Sequence, residues 1–316
     1  MSTSTLTHTL PAGIGKITLN SGPDIKGEEG YKYSHLLPHY NKSLNQAPLE
    51  PFEHIDPGHQ ALKDPEPQAF LKGATVKLLS PKFGAEVDGV DFTKLDSAQR
   101  SQLALYVAQK GVVVFRNNQA FIDADPRWLI DDWTAFFSRP HTHPVSRQPK
   151  DFPEIHLNIK STSSTATKIT LLFRIFGPPD CRRGLQTLEA EHSGFEQAAF
   201  AVQRHGADAI KRQPVKHTHP VVRRHPVTGE KALYVNPGFT RAIVGLKYEE
   251  SEGILKILYD HIKTDHDVQV RARWGEPGIV ELWDNRVTAH SALEDSGIEG
   301  RRNGGCLTPQ AERPTL

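Results

Sequence analysis

The stretch from Glu281 to Cys306, ELWDNRVTAHSALEDSGIEGRRNGGC, gathers residue types that do chemistry together. An alternating strand runs into an Asp-Asn-Arg turn, His290 follows, and Arg301 and Arg302 come after it. An imidazole projecting just past a strand can ligate a metal, and a guanidinium beyond it can clamp a carboxylate through two parallel hydrogen bonds. An iron centre that leaves room for a co-substrate takes two imidazoles and one carboxylate on a single face. One imidazole alone leaves the cation to exchange with water, because affinity follows donor number and geometry. A histidine after a strand serves equally well as a hydrogen-bonded structural residue, so the rest of the chain must supply the partners.

Candidate partners are scattered among the 16 histidines. His54-Ile55-Asp56 is an H-x-D tripeptide, but Pro57-Gly58 makes it read as a turn ahead of the first core strand. His217 and His219 form an H-x-H pair in a strand, with His225 beside it; they could recruit a metal together with His290, or sit on the surface as ordinary residues. His192 reads as a packing residue after a helix containing Glu189 and Glu191, and His261 and His266 as helix-end residues favoured by the dipole.

The elements that would position these groups are mostly short strands. ATVKLLS (74–80) alternates as a strand, and KFGAEVDGVDF (82–92) reads as a turn and a second strand. DSAQRSQLALYVAQKG predicts a helix with Asp96 or Ser97 as N-cap and Gly111 as stop. VVVFR predicts a strand covered on both faces. PRWLIDDWTAFFSR (126–139) and YEESEGILKILYDHIKT (248–264) read as amphipathic helices, the latter with acidic residues at its start. HTHPVVRRHPVTGEKALYVN predicts strand, turn at Thr228-Gly229, strand, and VQVRARW and GIVELWD predict strands on either side of a Glu276-Pro277-Gly278 turn. Many short strands with a few helices imply a closed or sandwiched antiparallel sheet, a mainly β architecture with helices outside. Residues 1–70, rich in Pro, Gly, His and charge, read as an extended arm, leaving 71–316 as the main domain.

Composition excludes several classes. Lys+Arg 38 against Asp+Glu 37 gives a formal charge of +1, without the footprint that nucleic acid or an anionic membrane surface requires. Two cysteines, Cys181 and Cys306, make no disulfide framework and point to a reducing compartment. The opening residues show no charged region followed by an apolar core, and no apolar run approaches the roughly 20 residues that span a bilayer. A cytoplasmic protein is expected.

WDNRVTAHSA, GRR and TPQAERP closely resemble the C-terminal signature of the TauD/TfdA family of Fe(II)/2-oxoglutarate dioxygenases. FGAEVDGVDF, GVVVFR, HTHPVS, DFPEIHL, EHSGFEQA and HPVVRRHPVTGEKALYVNPGFTRAIVGL resemble other stretches of it, and the arm is similar to that of fungal members. The resemblance implies a double-stranded β-helix (jelly roll) with Fe(II) and the co-substrate 2-oxoglutarate at its open end. It implies that His290 is the distal iron ligand, that Arg302 anchors 2-oxoglutarate, and that His143 contacts the substrate. A second arginine belongs four residues beyond Arg302, where this chain has Cys306; losing such a charge-assisted pair costs about 1.5–3 kcal/mol of co-substrate binding.

The resemblance also implies an H-x-D/E motif between PEIHL and HSGFEQ. This interval, Asn158 to Glu191, contains no histidine. ITLLFRIFGPP resembles the remnant of one family strand, as if an internal block had been removed. Two functions therefore stand open. One is a dioxygenase that hydroxylates a small molecule such as a sulfonate, a purine or a specialised metabolite. The other is a catalytically impaired pseudoenzyme or truncated gene product that binds or scaffolds. Lost strands would expose sheet edges, so self-association into a homo-oligomer joins the small-molecule substrate among the expected partners.

Overall fold

The computed structural model describes residues 32–39, 45–141, 148–149, 151, 158–162, 166–171, 179–206, 210–274, 276–293 and 302–316. After a two-residue strand at Pro38–His39 that pairs with Gln148–Pro149, the chain enters its four-stranded sheet through β1 (Thr75–Leu78) and β2 (Ala85–Asp88), which pair antiparallel. β1 is exposed along its length, as befits the edge of the sheet. Helix α1 (Ser97–Lys110) then begins at a capping box: Asp96 Oδ1 accepts from the Gln99 amide at 2.9 Å and Gln99 Oε1 accepts from the Asp96 amide at 3.1 Å. Such a cap contributes about 1 kcal/mol. The helix stops at Gly111, whose φ of 72° a side chain would resist.

β3 (Val112–Phe115) follows and is buried at every position. It lies between β2, to which it is parallel, and β12 (Val280–Trp283), to which it is antiparallel. That double cover is what its valine run anticipates, although the parallel neighbour departs from a purely antiparallel expectation. Against this sheet packs an aromatic cluster: Phe92 lies 4.7 Å from Phe115 and stacks on Trp133 at 5.1 Å, and Phe121 meets Trp133 edge-on at 4.9 Å. Each such pair adds about 0.5–1.5 kcal/mol beyond the area it buries. Residues 126–137 are helical as read, with a π-helical turn over Leu129–Thr134 that lets Trp133 enter the cluster.

Next in chain order come β4 (Asn158–Thr162), β5 (Ala166–Leu171), α2 (Pro179–Gln186), β6 (Glu189–Ser193), α3 (Phe195–His205) and β7 (Lys216–Pro220). β8 (Val222–Arg224) and β9 (Lys231–Leu233) form a hairpin around the predicted Thr228-Gly229 turn. β10 (Thr240–Ile243) and α4 (Tyr248–Thr264) complete a second layer. In it the sheet β10–β6–β7 supplies Ala190 and Ile243, and α4 supplies Leu255 and Leu258, to a core that also takes in Val221, Leu233 and Val287.

The last strands are β11 (Gln269–Arg273), β12, β13 (Thr288–Leu293) and β14 (Arg302–Cys306). β11 and β12 are neighbours in sequence yet belong to different sheets. β11 pairs with β5, which pairs on its other side with β13, and β14 pairs with β4. The fold is thus a set of small sheets with flanking helices, their described pairings antiparallel except that of β2 with β3. Among the described residues no helix is long and apolar enough to cross a membrane.

Candidate functional site

His290 sits in the middle of β13, delivered there by the turn that links it to β12. The turn is wound around Asp284: its carbonyl accepts from the amides of Val287 and Thr288 and from the Thr288 hydroxyl at 2.8 Å, and Oδ1 accepts from the Arg286 amide at 3.0 Å. Asp284 donates its own amide to the Gly111 carbonyl, which fixes the turn to the end of α1.

The Asp284 carboxylate is buried and doubly engaged. Arg286 donates through Nε to Oδ1 at 2.8 Å and through Nη2 to Oδ2 at 2.7 Å. His225, fully buried, reaches Oδ2 at 2.9 Å through Nε2. The other imidazole nitrogen, Nδ1, accepts from the amides of Val227 and Thr228 at 3.2 and 3.1 Å, so the proton sits on Nε2 and points at Asp284. Burial by itself would raise the Asp284 pKa, but the hydrogen bonds from Arg286 and His225 hold it well below the usual carboxylate range. Arg286 is in turn buried and would lose proton affinity on that ground, yet Asp284, Asp56 and Glu312 drive its pKa upward.

The same guanidinium ties in two distant segments. Its Nη1 lies 2.7 Å from Asp56 Oδ2 and 3.5 Å from Glu312 Oε2, and Glu312 also takes a hydrogen bond from the buried Arg223. Arg223 stands 5.2 Å over the Tyr234 ring. Asp56 Oδ1 is occupied by the Gly58 amide at 2.7 Å. The His54-Ile55-Asp56 tripeptide is therefore a turn whose carboxylate braces Arg286.

The predicted site residues fare differently. His290 is exposed and its ring lies 4.9 Å from that of Trp283. In register it stands opposite Ile169 of β5, and Val270 of β11 stands beyond Ile169. Neither β5 nor β11 contains a His, Cys, Asp or Glu. Arg302 opens β14, opposite Thr162, and Cys306 ends it, opposite Asn158. Cys306 is half-buried with Sγ 3.7 Å from Thr308 Oγ1. His143 lies outside the described residues.

The other histidines form their own group. His192 is in strand β6, which corrects its reading as a residue following a helix over Glu189 and Glu191; pairing with β10 on one side and β7 on the other outweighs the helical tendency of those glutamates. His192 stands opposite His217, its ring is 5.3 Å from His219 and stacks on Tyr234 at 5.3 Å. Burial pushes both His192 and His219 down to about 4. His225, read as a surface or supporting residue, is the most deeply buried of them. Its position was concealed because an H-P-V-T-G turn looks solvent-facing until the rest of the chain covers it.

Among the described residues, no group of three His, Cys, Asp or Glu side chains could hold a metal ion. The carboxylates nearest to being candidates by sequence, Asp56 and Asp284, are already saturated by Arg286 and by protein donors. Among the described residues, the donor set around His290 does not fit iron.

Comparison with known proteins identifies the frame. Residues 178–306 match the family model described as taurine catabolism dioxygenase TauD, TfdA family. The chain is 36% identical to the alpha-ketoglutarate-dependent sulfonate dioxygenase of Saccharomyces cerevisiae, covering 96% of this chain and 82% of that protein.

The chain belongs to the TauD/TfdA family.

It is also 36% identical to the alpha-ketoglutarate-dependent dioxygenase cnsP of Penicillium expansum over 92% of this chain and 89% of that one. The crystal structure of a putative alpha-ketoglutarate-dependent taurine dioxygenase from Burkholderia xenovorans superposes with a TM-score of 0.60 at 26% identity, covering 76% of this chain and 91% of that one. The yeast alignment runs over 354 positions and the Penicillium one over 335, both more than the 316 residues of this TauD/TfdA member, so each relative carries residues without a counterpart here.

Proposed function

We propose that this protein is a 2-oxoglutarate-dependent dioxygenase in its frame and substrate class, an oxidoreductase whose reaction oxidises a small organic molecule, a sulfonate or a specialised metabolite. What carries the reading is the 36% identity to a yeast sulfonate dioxygenase along 96% of the chain. The sheets would represent a double-stranded β-helix, with residues 1–70 as an arm on the domain 71–316 and the whole acting in the cytoplasm. In that frame His290 takes the place of a metal ligand, Arg302 that of an anchor for the 2-oxoglutarate carboxylate, and His143 that of a substrate contact. A guanidinium suits the second role because its planar donors match a carboxylate bidentately.

Iron, when bound in such a frame, supplies the activation of dioxygen. The chain's own contribution is positional. The Asp284 turn, held by Arg286 and His225, fixes where β13 starts, and Trp283 flanks the imidazole that β13 carries. Because the described donors around His290 do not complete an iron site, the reading is tested on the chain with the connection before residue 178 lengthened. Residues 158–177 are exchanged for the corresponding stretch of the yeast relative, and succinate is measured with Fe(II), 2-oxoglutarate, oxygen and a panel of sulfonates. Sulfonate-dependent succinate supports the reading. Its absence across the panel, in a folded protein and with the yeast enzyme active alongside, removes it.

A further inference from the structure

We infer that this chain, with the sequence it has, does not hold iron, because the connection before residue 178 has been shortened and a sheet has closed over the excision. The inference rests on the family membership above and concerns the one site that the family reading would use.

Three observations converge. The alignments with three fungal relatives extend over 354, 335 and 331 positions, each longer than the 316-residue chain, so residues are missing from its interior. The family match begins only at residue 178, directly after the stretch that reads as anomalous. Between Asn158 and Pro179 there is no His, Cys, Asp or Glu at all. The start of the family match thus adjoins a segment from which every plausible donor type is absent, and the inference places the shortfall there.

The backbone shows why a chain so shortened can still fold. β5 lies in the centre of a three-stranded sheet, paired from Ala166 to Leu171 with β13 and from Ala166 to Thr170 with β11. Its amides and carbonyls are satisfied on both sides, so the sheet around His290 has no gap that would unfold it. The repair has a chemical consequence. The position across from His290 on the neighbouring strand is Ile169, with Lys168 and Thr170 flanking it, and the strand beyond presents Val270 at the same level. An open-sided iron centre requires two imidazoles and a carboxylate, and this sheet supplies one imidazole.

Among the described residues, the acidic groups and the buried histidine around the Asp284 turn are already committed. Asp56 and Asp284 are bound to Arg286, Glu312 to Arg223 and Arg286, and His225 to Asp284 and two backbone amides. His192, His217 and His219 are grouped with one another and Tyr234. Moving one of those carboxylates to a metal would leave the half-buried Arg286 or the buried Arg223 with less counter-charge, a loss that a surface-exposed imidazole does not offset.

The experiment is anaerobic equilibrium dialysis of the purified chain against Fe(II), with metal quantified per protein, alongside the variant carrying the yeast stretch in place of 158–177. The expected result is no saturable Fe(II) in the chain and stoichiometric Fe(II) in the variant, abolished by His290→Ala in the latter. Stoichiometric Fe(II) in the unaltered chain that His290→Ala removes would overturn the inference while leaving the family function standing. So would a variant that folds, judged by circular dichroism and a cooperative melt, and still takes up no iron. If the variant fails to fold, the reciprocal excision in the yeast relative decides: iron retained there overturns the proposal, iron lost supports it. A variant that binds Fe(II) and 2-oxoglutarate but yields no succinate with any sulfonate counts against the proposed function and not against this inference.

Discussion

Asp284 and His290 stand at opposite ends of one short piece of chain and have opposite surroundings. Asp284 is buried, takes hydrogen bonds from Arg286 and His225, and anchors a turn to the end of α1. His290 is exposed, and across the sheet from it stands Ile169. The brace that would hold a ligand in position is intact, whereas among the described residues no metal-binding group forms around the imidazole. Structural charge networks persist because removing one member strands the others in low dielectric. An exposed imidazole carries no such penalty, so nothing in the fold demands that its co-ligands stay.

That contrast can be broken at the brace first. Asp284→Ala leaves Arg286 with less compensation and His225 Nε2 without an acceptor, and should cost about 3–5 kcal/mol in a urea melt. A loss below about 1 kcal/mol would mean the network is not holding the turn.

A weaker blow falls on its outer member. Asp56→Asn keeps an acceptor for the Gly58 amide but removes the charge facing Arg286, and should cost about 1–3 kcal/mol. In a double-mutant cycle with Arg286→Met the two changes should be strongly non-additive; additivity would separate the arm from the turn.

The histidine group gives a pH dependence. His192 and His219 are held at about 4 against an ordinary 6.5, chiefly by burial, with Arg241 near the first and His192, His217, Arg313 and Arg223 near the second. The unfolded chain therefore takes up protons between these values before the folded one does. Stability contributed by the neutral rings is complete above about pH 6.5 and is lost as pH falls toward 4. The melting temperature should drop across that window, and His219→Gln should shallow the slope; an unchanged profile in the variant would assign the acid sensitivity elsewhere.

The smallest effect sharpens the comparison most. His290→Ala should alter stability by no more than about 0.5 kcal/mol, since its side chain is exposed, and should leave the metal content of the unaltered chain where it was. A marked loss of either would show that the imidazole has partners of consequence.

Local regularity was readable. The capping box and glycine stop of α1, the 17-residue α4 and the buried valine strand β3 all stand where periodicity and caps put them. So does the β8–β9 turn, because a Thr-Gly pair between alternating segments is a local signal. The absence of His, Cys, Asp and Glu between residues 158 and 179 was readable too, since it is a property of composition.

Pairing between distant strands was not readable. Nothing in QVRAR and VELW announces that two successive strands go to different sheets, or that ATKITL will lie between QVRAR and the strand of His290. His192 resembled a helix follower because glutamates favour helix locally, and His225 resembled a surface residue because its turn is polar.

By itself the amino-acid order determined most of the helices and strands, the near-neutral charge, the family likeness and the want of His, Cys, Asp and Glu between residues 158 and 179. Tertiary structure alone decided that Asp56, Arg286, Asp284, His225 and Glu312 meet, and that Ile169 faces His290. The reason is range: caps, turns and periodicity act over a few residues, whereas a buried charge finds its counter-ion, and a strand its neighbour, only after the intervening chain has folded around them.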